Sequence, residues 1–180
     1  MQTSTAPLSR PTIILHWLVA LSIIGMLAFG QIFEDYPPGP DKDVLLAWHS
    51  MLGLLVLVLG LLRLVWRLVE GLPEPVAAGA GWQEQLGKAI HLFLLVAVIV
   101  MPLSGMVTML GHGRTVDVLG LFTIGPMAAS HTLAEAGEIV HALLSKLMIV
   151  TIGLHAAAAL KHHYLDRDAT LARMLGRTTA

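Results

Sequence analysis

The chain has 180 residues, 56% hydrophobic and 13% charged, with a mean hydropathy of +0.75; a soluble domain of this size carries about twice that charge, so the composition marks an integral membrane protein. A net charge of −1 with histidine neutral excludes the dense cationic face that general nucleic-acid binding needs. The absence of cysteine excludes disulfides and the C-x-x-C-H attachment of a c-type haem, and nine histidines are the oddity of so apolar a chain.

The first apolar run follows Arg10-Pro11 and reaches Phe33, with His16 and Trp17 near its start. No small-residue cleavage site follows it, which fits a retained span better than a secretory signal peptide. The segment EDYPPGPDKD, Glu34 to Asp43, is a Pro/Gly turn in which Asp41 or Asp43 is placed to cap the next helix. A second span is expected over 44–69, with Trp48-His49 near its entry and Arg63 and Arg67 near its exit; a loop rich in Pro, Gly and Ala follows over 71–81. The third span, 86–110, has His91 one turn in and Pro102 in the middle, where a bundle tolerates proline as a kink. Gly111 to Ser130 is Gly-rich and of mixed polarity, and reads as an extramembrane loop. Thr132 and Glu135 have capping-box spacing, so the last helix is expected over 133–164, longer than a bilayer requires, and the tail from Leu165 onward reads as surface-bound or mobile.

Four spans joined by modest loops, with no internal repeat, predict an all-α fold: one membrane domain over 1–180, a transmembrane up-down-up-down four-helix bundle. Arg10, Arg63, Arg67, Lys88, Lys161, Arg167, Arg173 and Arg177 fall on one side and Lys42, Arg114 and Lys146 on the other. The positive-inside rule then puts both termini in the cytoplasm.

Orientation gives each histidine a depth. His141 and His155 are fourteen residues apart on the last helix, hence on one face and roughly 21 Å apart along it. His16 lies as far from the cytoplasmic end as His155, while His49 and His141 lie near the outer end of their helices. The four therefore sort into two transverse pairs, His16 with His155 and His49 with His141. Two imidazoles facing across a bundle core are what a bis-His haem b requires, whereas zinc wants a third or fourth ligand at the same depth and no intramembrane Asp or Glu supplies one. Arg63, fourteen residues beyond His49, reaches the depth of the inner pair, where a guanidinium can meet haem propionates or simply anchor the helix at the cytoplasmic surface. His91 and His162 stand near that surface and are candidates for the two carbonyl oxygens of a quinone; His163 points elsewhere. Outside, His112, His131, Arg114, Lys42 and Lys146 can draw an anion toward the outer pair.

The run from Gly153 through His155 to His162-His163-Tyr164, followed by Asp166 to Leu175, resembles the C-terminal signature of the bacterial cytochrome b561 family. His16-Trp17, Trp48-His49 and the spacing of His91 to Pro102 resemble it too, from about Arg10 to Leu175. The resemblance implies a four-span dihaem b cytochrome of the bacterial inner membrane, in contact with membrane lipid and similar to superoxide oxidase, which passes an electron from periplasmic superoxide to ubiquinone. It implies two non-covalent haem b groups with iron on His16, His49, His141 and His155, and quinone contacts at His91 and His162. The outer loop from Gly111 to Val140 departs most from the family pattern, which leaves the electron donor open. The alternative expectation is a haem b membrane anchor that relays electrons between quinone and a partner dehydrogenase or hydrogenase. A His-lined metal transporter is a third possibility, disfavoured because no span carries ionisable residues along its length.

Overall fold

The computed structural model describes residues 7–71 and 81–177; the loop expected over 71–81 falls almost entirely outside them. Four long helices, α1 (Arg10–Glu34), α2 (Pro40–Glu70), α3 (Gly81–Gly111) and α4 (His131–Tyr164), are each long and apolar enough to cross a bilayer. They pack as a bundle. Between α3 and α4 lies a two-stranded hairpin, β1 (Val116–Val118) and β2 (Phe122–Ile124), and the chain continues after α4 into a short helix, α5 (Thr170–Met174).

Local chemistry sets the boundaries. Ser9 caps α1 by accepting the Thr12 amide at 3.3 Å, with Pro11 in the first turn where a missing N–H costs nothing. α2 starts at Pro40 after Gly39, so Asp41 and Asp43 are not the cap; they lie in the first turn, where their charge favours the positive end of the helix. The cap of α4 is Ser130, whose hydroxyl accepts the Leu133 amide, and the expected capping box at Thr132 and Glu135 falls inside the helix. Pro102 sits within α3 without ending it.

The outer segment is not wholly irregular. β1 and β2 pair antiparallel with Val118 opposite Phe122, and Leu119 and Gly120, both at positive φ, make the turn, with Asp117 accepting the Gly120 amide at 2.6 Å. Val116 anchors the hairpin against Leu54 and Leu110. The described part of the tail is likewise ordered: α5 folds back on the start of α1, where the Trp17 indole donates to the Met174 carbonyl at 2.9 Å.

At mid-depth all four helices meet in a dry plug of Val19, Ile23, Val56, Ala97, Val98 and Met148. Met148, with no exposure, lies midway between His141 and His155 on α4. Glycines close the other seams. A Cβ at Gly60 would stand 2.5 Å from Val98, and one at Gly111 would stand 2.4 Å from the Ala134 backbone nitrogen. A Cβ at Gly137 would stand 2.6 Å from the Thr108 hydroxyl. α4 thus lies hard against α3, and α1 against α2, but α4 makes little backbone contact with either α1 or α2.

Candidate cofactor site

The histidine pairs bridge that sparse contact. His16 on α1 and His155 on α4 have ring centres 6.2 Å apart, and His49 on α2 and His141 on α4 have theirs 6.1 Å apart. Two imidazoles on opposite sides of a six-coordinate iron stand with ring centres about 6 Å apart, given metal–nitrogen bonds of about 2 Å. Both separations suit a porphyrin iron between the rings.

Further features of the outer pair fit such a group. His141 Nδ1 lies 3.0 Å from the Met101 carbonyl and 3.2 Å from the Ser104 hydroxyl. A carbonyl can only accept, so Nδ1 holds the proton and Nε2 keeps the lone pair a metal needs. His49 Nδ1 is buried with no hydrogen-bond partner among the described residues, a group whose isolation costs about 1–3 kcal/mol. Phe29 and Phe33 flank that ring at 5.6 and 5.9 Å. Gly30 and Gly105 leave room at the two imidazoles: a Cβ would come to 3.5 Å of His49 and 3.2 Å of His141. Met26, Leu27, Gly53, Val56 and Pro102 line a small cavity beside the pair, an apolar wall against which a macrocycle face can lie.

At the inner pair, His91 adds a third imidazole, its ring 5.2 Å from that of His155. Arg63 is close enough to His16, His91 and His155 to act electrostatically on all three, and makes no ion pair among the described residues. Trp17 packs edge-on to His16 at 5.4 Å. His162 is held differently: its Nδ1 lies 2.6 Å from Asp168 and 3.2 Å from Asp166. The two quinone candidates are therefore each held by something other than their proposed companion. Burial alone would raise the Asp168 carboxyl, but hydrogen bonds from the Thr170 hydroxyl and amide, and from His162, outweigh it and hold the group below the usual carboxylate range. His163 stacks on Tyr164.

Among the described residues the one cluster with three potential metal ligands is His162, Asp166 and Asp168, and there Lys161 already occupies Asp166 at 2.6 Å.

Outside, the expected anion-collecting charge is largely spent internally. Arg114 pairs with Asp43 at 3.4 Å, His112 with Glu138 at 2.6 Å and His131 with Glu135 at 3.6 Å, while Lys42 donates to the carbonyls of Glu34 and Tyr36. Sequence reasoning did not find Gly30, Gly105, Ser104 or the Met101 carbonyl. A glycine within a span, costing up to about 1 kcal/mol against alanine, is the signal that marks the first two.

A family model described as prokaryotic cytochrome b561 matches residues 8–177. Cytochrome b561 homolog 2 of Escherichia coli is 28% identical over 92% of this chain and 89% of that protein. Cytochrome b561 homolog 1 of the same organism is 29% identical over 94% of this chain and 97% of that protein. A Yersinia pestis protein named probable superoxide oxidase CybB is 30% identical over 89% of this chain and 91% of its own length.

Proposed function

The chain belongs to the prokaryotic cytochrome b561 family, and from that premise we propose that it binds two b haems and moves electrons across the bacterial inner membrane, from superoxide at the periplasmic face to ubiquinone at the cytoplasmic one. Membership makes it a multi-pass membrane haem b electron-transfer protein; the haem count, ligands, donor, acceptor and cytoplasmic termini are the proposal. The observation that carries it is the pair of imidazole couples, 6.1 and 6.2 Å apart, spanning the sides of the bundle where α4 has little backbone contact.

Bound haem b supplies reversible one-electron chemistry. The chain's own residues do the rest. His49 and His141 would hold the outer group and His16 and His155 the inner one, with the Met101 carbonyl fixing the tautomer of His141. Arg63 would neutralise propionates of the inner group, a role supported by its having no carboxylate partner among the described residues. The Met148 plug keeps water out of the space between the two sites. His91 is the first candidate for a quinone oxygen; His162, with Nδ1 taken by Asp168, would offer Nε2. Superoxide as donor is supported by the printed name of the Yersinia relative. In the test, a pulse of superoxide reduces ubiquinone through the purified haem-loaded protein, and no acceleration over a haem-free control removes the donor assignment.

A second reading, a haem b anchor serving a partner dehydrogenase or hydrogenase, is favoured by the outer hairpin. Leu121, Phe122 and Met127 there are 79%, 58% and 52% exposed, and the neighbouring cations are already paired. Co-purification of a large redox subunit with the intact membrane protein supports it; a chain isolated alone and active with superoxide excludes it.

A further inference from the structure

We infer that the inner end of the bundle holds a built site for one anionic phospholipid, between the start of α1 and α5, with its phosphate among Arg10, Arg173 and Arg177. The proposal is independent of the redox reading. A cavity of about 360 Å³ lies here, and these three arginines line it together with Leu8, Ile13 and Ile14.

Arg10 and Arg177 make no ion pair among the described residues. Among the described residues, Glu70 is engaged with Thr12, Trp66 and Arg67, Asp166 with Lys161, and Asp168 with His162 and Thr170. Arg173 is only 7% exposed although it lines the wall, so its guanidinium is positioned by the fold rather than waving in solvent. Guanidinium groups match phosphate oxygens in a planar, bidentate way that ammonium groups do not.

The other half of the site is apolar and runs the right way. Ile14, Leu18 and Leu21, 55%, 46% and 63% exposed, follow at helical spacing along α1 from the cavity toward the bilayer centre. A ligand lying here has an anionic head at the α5 end and a hydrocarbon chain along α1, which describes a phospholipid and not a free anion. The Trp17 indole ties the two walls together through the Met174 carbonyl, so the occupant also bridges α5 to α1.

The experiment is native mass spectrometry of the detergent-solubilised holoprotein titrated with phosphatidylglycerol, with phosphatidylcholine and with inorganic phosphate. One phosphatidylglycerol should be retained in preference to phosphatidylcholine. The double variant R10Q/R177Q, both positions at the exposed rim, should lose about thirtyfold in affinity, from roughly fivefold per arginine near a membrane surface. R10K/R177K should recover only part of that loss. An unchanged haem spectrum and melting temperature in both variants shows that the fold is intact. Equal retention by wild type and R10Q/R177Q, equal binding of both lipids, or displacement of the lipid by millimolar phosphate would each overturn the assignment.

Discussion

The outer histidine pair can be tested by refilling the space that glycine leaves at Gly105. A Cβ there stands 3.2 Å from His141 Cε1 and 3.3 Å from its Nδ1, tighter than an ordinary carbon contact by a few tenths of an ångström. Gly105→Ala therefore asks the ring for a small retreat, and Gly105→Val, with two more methyls against the same ring, asks for one that breaks its bond to Met101. Overpacking of this kind costs about 1–3 kcal/mol, which is about five- to 150-fold in affinity for a group ligated by His141. His155 is about four turns away along α4, so the inner pair should not feel the change. Pyridine haemochrome counting and a reduced-minus-oxidised spectrum should find close to two haems per chain in wild type, slightly fewer in Gly105→Ala, and close to one in Gly105→Val. Gly30→Ala, whose Cβ meets His49 at an ordinary 3.5 Å, serves as the control and should retain both. Two full haems in Gly105→Val with unchanged potentials would refute the assignment of His141.

Three further outcomes follow from other parts of the fold. Removing the Arg63 cation in Arg63→Met should lower the midpoint potential of the inner haem by tens of millivolts, on the order expected for one charge at an intermediate dielectric, because a cation favours the reduced state; potentiometric titration reads it, and equal potentials would place the guanidinium away from that group. Gly111→Ala drives a Cβ into the Ala134 backbone, which cannot swing aside; at a cost of about 1–3 kcal/mol and roughly 2–4 °C per kcal/mol it should melt several degrees lower in detergent, while Gly153→Ala, with nothing within 4 Å, should not. The lowered Asp168 carboxyl stabilises the α5 dock above the usual carboxylate range, and that contribution is lost as pH falls through its own value. Protection factors over α5, corrected for the intrinsic pH dependence of exchange, should therefore fall as pH drops below about 5, and in Asp168→Asn should be low and flat; protection independent of pH in wild type would show that Asp168 does not hold the tail.

What could be read in advance follows the range of the interactions. Span existence was legible because it is set by composition over about twenty residues, and the depth of His141 and His155 because helical rise converts spacing directly into distance. The placement of Ser130 over Thr132 as the cap of α4 was not, since both are good caps and only the geometry of the preceding loop chooses between them. β1 and β2 are three residues each, too short for a period to show, and depend on Val116 finding Leu54 and Leu110. The pairing of Arg114 with Asp43 joins positions 71 residues apart, so a charge count by side of the membrane records a cation where the fold has made a neutral pair. That difference bears directly on how a superoxide donor would be gathered.

The arrangement of glycines explains why the histidines are where they are. Helices with large side chains at every interface settle 8–10 Å apart, whereas glycine lets backbones approach. Gly60 draws α2 onto α3, and Gly111 and Gly137 draw α4 onto α3. No glycine contact of that closeness draws α4 toward α1 or α2 among the described residues. Clamped to α3, α4 meets α1 and α2 at the Met148 plug and, to either side of it along the helix, at the depths of His155 and His141. An imidazole nitrogen buried with no partner is costly, and His49 Nδ1 is such a group among the described residues. Glycine clamps on one face of α4 and the proposed haem ligands on the other would then work together, and loosening the clamp at Gly111 or Gly137 should weaken cofactor retention at His141 before it unfolds the bundle.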